Sequence, residues 1–156
     1  MTLTAAELMT APVVTAHPEA SLAEVAKILV GKKITAIPIC NPDGTLAGVI
    51  SEADVVRPFR ESLLRKRQHW LELLANGEDL SQDFLDYLRQ DTKPARDMMT
   101  KHVVTASKDA TLPELAELMI SHGVKRIPIV DSGKVIGIVS RSDLLRAISK
   151  QPALMV

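Results

Sequence analysis

The sequence predicts a mixed α/β (α+β) fold: two β-α-β-β-α repeats packed about a pseudo-twofold axis, with a helical insertion between them. Three observations carry this expectation. Aligning Met9-Thr10 with Met99-Thr100 and running to Arg57 and Arg146, with only Asp43 skipped, gives 18 identities in 48 pairs, which marks a duplication. Both copies show the same alternation of helical and strand periodicities. Residues 58–96 have no counterpart in the duplication and read as helical. The implied organisation is a first repeat over 1–59, an insertion or linker over 60–96 and a second repeat over 97–156.

Each copy opens with a short extended piece, Val13 to Ala16 or Val103 to Ala106. A capping box then starts a helix, Ser21-Leu22-Ala23-Glu24 in the first copy and Thr111-Leu112-Pro113-Glu114 in the second. Leu22, Val25, Ile28 and Leu29, like Leu112, Leu115, Leu118 and Met119, recur at the three-and-four spacing of a buried helix face. A β-branched strand follows, Thr35 to Ile39 or Arg126 to Val130. It leads through a tight turn at Asn41-Pro42-Asp43-Gly44 or Asp131-Ser132-Gly133 into a second strand. Pro38 and Pro128 fall inside strands, so each must lie at an edge or beside a break in the ladder. In the insertion, Leu63, Leu64, Trp70, Leu71 and Leu74 share one side of a helix ended by Asn76-Gly77, and Leu80, Phe84, Leu85 and Leu88 mark a second, as in a helical hairpin.

The composition restricts the function classes. Nineteen basic and nineteen acidic residues leave no net charge, which argues against nucleic acid or an anionic membrane as partner. The first residues carry neither the basic start nor the apolar core of a signal peptide, and no window reaches the length of a membrane span. The single cysteine, Cys40, forms no internal disulfide, so a soluble cytoplasmic protein is expected. His17, His69, His102 and His122 are scattered without metal-ligand spacing and read as surface residues. No phosphate-cradling glycine loop, nucleophile elbow or zinc signature appears, and no enzymatic activity is expected.

The candidate chemistry lies at two junctions, Gly48-Val49-Ile50-Ser51-Glu52-Ala53-Asp54 and Gly137-Ile138-Val139-Ser140-Arg141-Ser142-Asp143. In each, an apolar strand stops at a serine able to cap a helix, and an aspartate follows three positions later. Unpaired backbone N–H groups and the positive end of a helix dipole suit a phosphate there. The carboxylate one turn in suits two vicinal hydroxyls, as the acidic residue of dinucleotide folds suits ribose. The same Ser-x-x-Asp is also a plain capping box that requires no ligand.

The Met-Thr pair, Val-Val-Thr, Ile-Pro-Ile, the turn glycine Gly44 or Gly133, the two Gly-x-x-Ser-x-x-Asp stretches and their endings at Arg57 and Arg146 together resemble a tandem pair of CBS domains, the cystathionine-β-synthase regulatory repeat. The insertion, with Trp70-Leu71-Glu72-Leu73-Leu74, is similar to that of bacterial stand-alone CBS proteins that often continue into a small BON domain. This sequence stops at Val156, so either that domain is lacking or the sequence is a fragment. The resemblance implies ligand sensing without catalysis. The expected ligand is an adenosyl compound, AMP, ADP, ATP or S-adenosylmethionine, held in the cleft between repeats of a disc-shaped homodimer that reports to a regulated protein. It implies one site built from Ser51 and Asp54 with Val103, Val104, Val124 and Arg126, and another from Ser140 and Asp143 with Val13, Val14, Ile34 and Ala36. Because Lys125-Arg126 aligns with Thr35-Ala36, the first site is expected to hold phosphates better, with Arg141 a possible substitute in the second. Two alternatives remain: a ligand-free interaction scaffold, and a divalent-metal sensor using the acidic insertion.

Overall fold

The computed structural model describes residues 2–57 and 93–151. The first half holds α1 (Ala5–Leu8), α2 (Leu22–Lys32), β1 (Ala36–Cys40), β2 (Leu46–Ser51) and a helical stretch over 52–57, α3. The second holds α4 (Ala95–Met98), α5 (Leu112–His122), β3 (Arg126–Asp131), β4 (Lys134–Ser140) and α6 (Arg141–Lys150). The expected helical hairpin, with Trp70 and the basic cluster from Arg60 to Arg67, lies outside the described residues.

Local chemistry accounts for the main helices. Ser21 Oγ accepts from the Glu24 N–H at 3.1 Å to start α2, and Glu114 Oε2 accepts from the Thr111 N–H at 3.0 Å to start α5. Their inner faces bury Leu22, Val25 and Leu29, and Leu112, Leu115 and Met119. Both helices stop on a left-handed residue, Gly123 at φ 63° in α5 but Lys33 at φ 55° in α2. A Cβ makes that conformation costly, and glycine suits it. Lys33→Gly is therefore expected to stabilise the chain by about 0.5–1 kcal/mol, less than the full strain because glycine also frees the unfolded chain. A urea midpoint that falls in this variant would contradict the strain.

In each half two strands pair antiparallel, β1 with β2 and β3 with β4. Ser132 at φ 53° and Gly133 at φ 81° form the two-residue turn between β3 and β4, the geometry that matches strand twist. The prolines are accommodated as their position demands. Pro38 turns its carbonyl toward Ala16, whose N–H donates to it at 3.1 Å, so its missing N–H lies on that side and not on the β2 side. Ala106 treats Pro128 in the same way at 3.2 Å. The expected opening strands shrink to these single parallel bridges, Ala16 with Ile39 and Ala106 with Ile129.

Each copy instead opens with a one-turn helix, α1 or α4, and each of these docks on the opposite copy. Ala5 donates to the Ala110 carbonyl at 2.7 Å and Ala95 to the Ala20 carbonyl at 2.8 Å. Ala5 belongs to the core of Leu115, Ile127, Ile129 and Val139, and Ala95 to that of Val25, Ile37, Ile39 and Ile50. Two residues past each short helix the chain pairs with the outer edge of a hairpin in the other copy: Thr10 with Ile138 and Thr100 with Val49. At these crossings Gly48 and Gly137 leave room for Met99 and Met9. The hairpin turns also meet, with Val135 N–H donating to the Gly44 carbonyl at 3.1 Å. The two copies thus exchange their leading segments, and neither core is complete without the other.

Candidate functional site

The exchange brings the two junctions to the boundary between copies. β2 ends at Ser51 and β4 at Ser140, where α3 and α6 begin. The first helical N–H of each junction is drawn back to the segment before its own hairpin: Glu52 N–H donates to the Thr35 carbonyl at 3.0 Å and Arg141 N–H to the Lys125 carbonyl at 2.8 Å. Strand end, helix start and the residues leading into β1 or β3 therefore form one surface in each copy. Opposite it stands the leading segment of the other copy.

Two cavities open along this boundary. The first, about 400 Å³, is lined by Ser51, Asp54, Val103, Val104, Val124 and Arg126, all six residues expected for the first site. The second, about 420 Å³, is lined by Ser140, Asp143, Val13, Val14, Ile34 and Ala36, all six expected for the second. Both volumes fall within the range of small-molecule sites. In each, a carboxylate and a serine from one copy face paired valines from the other.

The capping box is complete at Ser140, whereas at Ser51 only its carboxylate half is formed, with the serine hydroxyl donating to Asp54. Asp54 Oδ2 accepts from the Ser51 N–H at 2.9 Å and from the Ser51 hydroxyl at 3.1 Å, while Asp54 Oδ1 accepts from Arg57 at 3.1 Å. Asp143 Oδ2 accepts from the Ser140 N–H at 2.8 Å, and its Oδ1 from Arg146 at 3.0 Å. The Ser140 hydroxyl accepts from the Asp143 N–H at 3.2 Å. An ionised carboxylate offers about four acceptor positions. Asp54 therefore keeps one open and Asp143 two, so capping leaves both able to receive a ligand hydroxyl. Asp54 is only 9% exposed, which raises the strength of any bond it accepts.

Several lining residues fall outside the two expected sets of six. Thr35, Glu52, Thr100, His102 and Lys125 line the first cavity, and Thr10, Lys33, Ser142 and Arg146 the second. Arg57 and Arg146 carried a readable signal, since a cation three residues after an aspartate on a helix reaches its carboxylate. His102 is exposed, as expected, but on the cavity wall. Arg126 lines both cavities, and Lys33 and Arg146 supply the second with further cations, whereas Arg141 is not among its lining residues. The expected poverty of positive charge there is not what the structure shows. Partial burial pulls the Arg126 guanidinium below its ordinary value, opposed by the nearby Glu52 carboxylate. Cys40 is a buried thiol whose burial pushes its pKa up, away from nucleophile chemistry. Among the described residues no three acidic, histidine or cysteine side chains gather as a metal site, and no helix is long and apolar enough to cross a membrane.

A pair of copies that trade leading segments and enclose two clefts defines a tandem-repeat α/β architecture. The CBS domain model matches residues 5–61 and 95–150, and the chain belongs to the CBS domain family. An uncharacterized protein of Methanocaldococcus jannaschii is 34% identical over 150 residues, covering 91% of this chain and 89% of that one. The CBS domain pair of protein MJ0100, solved in complex with 5′-methylthioadenosine and S-adenosyl-L-methionine, superposes with a TM-score of 0.71 at 26% identity, covering 97% of this chain and 99% of the other. CBSX2 of Arabidopsis thaliana, solved in complex with AMP, superposes with a TM-score of 0.68 at 25% identity, covering 94% and 96%. In an inosine-5′-monophosphate dehydrogenase of Methanocaldococcus jannaschii, 27% identical, the matched part is 22% of that enzyme's length.

Proposed function

We propose that the chain is a non-catalytic regulatory module that senses an adenosyl compound, AMP, ADP, ATP or S-adenosylmethionine, in one or both clefts between its repeats. The observation that carries this reading is the makeup of each cavity, a carboxylate at a strand-to-helix junction set against paired valines of the opposite repeat. The complexes solved for two similar CBS pairs support the ligand class. In the first cleft, adenine lies among Val103, Val104 and Val124, and a ribose hydroxyl uses the open acceptor of Asp54. Phosphate meets Ser51, the start of α3 and Arg126. The second cleft repeats this with Val13, Val14, Ile34 and Ala36 around the base and Ser140 and Asp143 at the ribose.

A ligand so placed touches both repeats at once and favours the packing that fits it. Coupling of this kind is typically worth about 1–3 kcal/mol, enough to bias a partner protein that reads the packing. We place the module in a cytoplasmic homodimer, with 1–59 and 97–156 as its repeats. Thermal melting tests the ligand class. A compound that binds only the native state adds about 2.7 kcal/mol at a hundredfold excess over its Kd, so the melting temperature should climb with concentration for at least one adenosyl compound. A flat response to AMP, ADP, ATP and S-adenosylmethionine would instead favour a ligand-free scaffold. A rise with Mg²⁺ alone would favour metal sensing.

A further inference from the structure

The two cavities are not independent, because Thr35, Ala36, Arg126 and Ile138 line both. Ala36 and Arg126 occupy matching positions in the duplication, each opening the first strand of its hairpin. The chain therefore places one alanine and one arginine between the clefts. A second arginine at position 36 would set two like charges side by side; with Ala36 there, a single guanidinium stands between the two cavities. Arg126 also reaches across the boundary to donate to the Thr35 hydroxyl of the other copy. The remaining cations are private, Lys125 on the first cavity and Lys33 and Arg146 on the second.

We infer that Arg126 is a shared anion-binding residue whose charge serves whichever cleft holds a phosphorylated ligand, so that two such ligands compete for it and the clefts are negatively coupled. The inference rests on the adenosyl reading above and adds a rule to it: coupling follows ligand phosphate. A guanidinium that engages one phosphate as a planar fork commits that edge and most of its single charge to it, leaving less of both for a phosphate in the other cleft. Adenosine, which carries no charge, makes no such demand.

The test is calorimetric titration of the full chain with AMP and with adenosine. Asp54→Ala and Asp143→Ala isolate one cleft at a time, and the wild type reports both. For AMP, the doubly bound state should be at least about fivefold weaker than the product of the single-cleft affinities, within the usual span of such couplings. For adenosine the factor should be about one. In Arg126→Gln both AMP affinities should drop about tenfold and the AMP factor should return to about one, whereas Arg126→Lys should retain part of it. Simple repulsion between two phosphates predicts the opposite, a factor that grows when the cation is removed, and that result would overturn the inference. Two AMP bound to the wild type with a factor of one would overturn it and leave the adenosyl reading intact. One adenosine per chain would overturn it too, as would absence of binding by both compounds, and only silence toward ADP, ATP and S-adenosylmethionine as well would remove the adenosyl reading. A wild type that takes two adenosines but one AMP is the limiting form of the expected result.

Discussion

Replacing Gly48 by alanine is expected to cost about 1–3 kcal/mol of stability, read as a lower urea midpoint at unchanged slope. A Cβ at position 48 would sit 2.6 Å from Met99 Sδ and 2.7 Å from the Thr100 carbonyl oxygen. The thioether can swing aside. The carbonyl cannot, because it accepts from the Val49 N–H at 3.0 Å where the leading segment of the second copy is tied to β2. The methyl group therefore forces the two copies apart at the crossing itself. Gly137→Ala makes the same change at the matching position, but the three atoms nearest the Cβ there all belong to the Met9 side chain, Sδ, Cγ at 2.8 Å and Cβ at 3.1 Å. It should cost less, since a side chain gives way more readily than paired backbone. Equal losses, or a larger loss at position 137, would show that backbone contact is not what makes Gly48 necessary. Because Val49 and Thr100 also line the first cavity, ligand affinity there should fall with stability in Gly48→Ala.

Asp54→Ala is expected to weaken binding of an adenosyl ligand at the first cleft by roughly ten- to a hundredfold, since a hydrogen bond to a charged group contributes about 1.5–3 kcal/mol. The same change leaves the Ser51 N–H and hydroxyl at the start of α3 without their carboxylate acceptor, at a cost of about 1–3 kcal/mol. The two effects separate with Asp54→Asn, whose side-chain oxygen still accepts from the Ser51 N–H but carries no charge for Arg57 or a ribose. Most of the stability should return and little of the affinity. An alanine variant that loses stability but binds AMP and ATP as the wild type does would reduce Asp54 to a cap.

Much of the fold was legible because its signals are local. Ser21 with Glu24 and Thr111 with Glu114 announce helices within four residues, and the turn at Ser132-Gly133 announces a hairpin within two. The short helix at Ala5 was legible in principle, since Thr4 and Glu7 form a capping box with Glu7 Oε2 accepting from the Thr4 N–H at 2.8 Å. One turn buries too little surface to produce an apolar period, and the expected elements of the first copy begin only at Val13. The opening strands were overestimated for a related reason. β-branched residues at Val13-Val14 and Val103-Val104 favour extended chain, but whether an extended segment becomes a strand depends on a neighbour, and here each finds one bridge.

The candidate clefts divide in the same way. Serine and aspartate at each junction were visible because strand end, cap and carboxylate lie within four positions. Lys33 at the second cleft and His102 at the first were not, since nothing in the segments around them points toward a cavity wall. Arg126 was assigned to one site by its position, and its place beside both came only with the structure.

The sequence by itself determined that one unit is present twice, the helix, hairpin and helix that follow one another inside each unit, and the serine and aspartate at each strand-to-helix junction. The tertiary structure alone decided that each leading segment completes the opposite copy, and that one guanidinium lies between two clefts. The reason is symmetry. Met9 and Met99 are the same residue, as are Gly48 and Gly137, so by local rules either leader suits either hairpin, and only the joint packing of both cores chooses between the two arrangements.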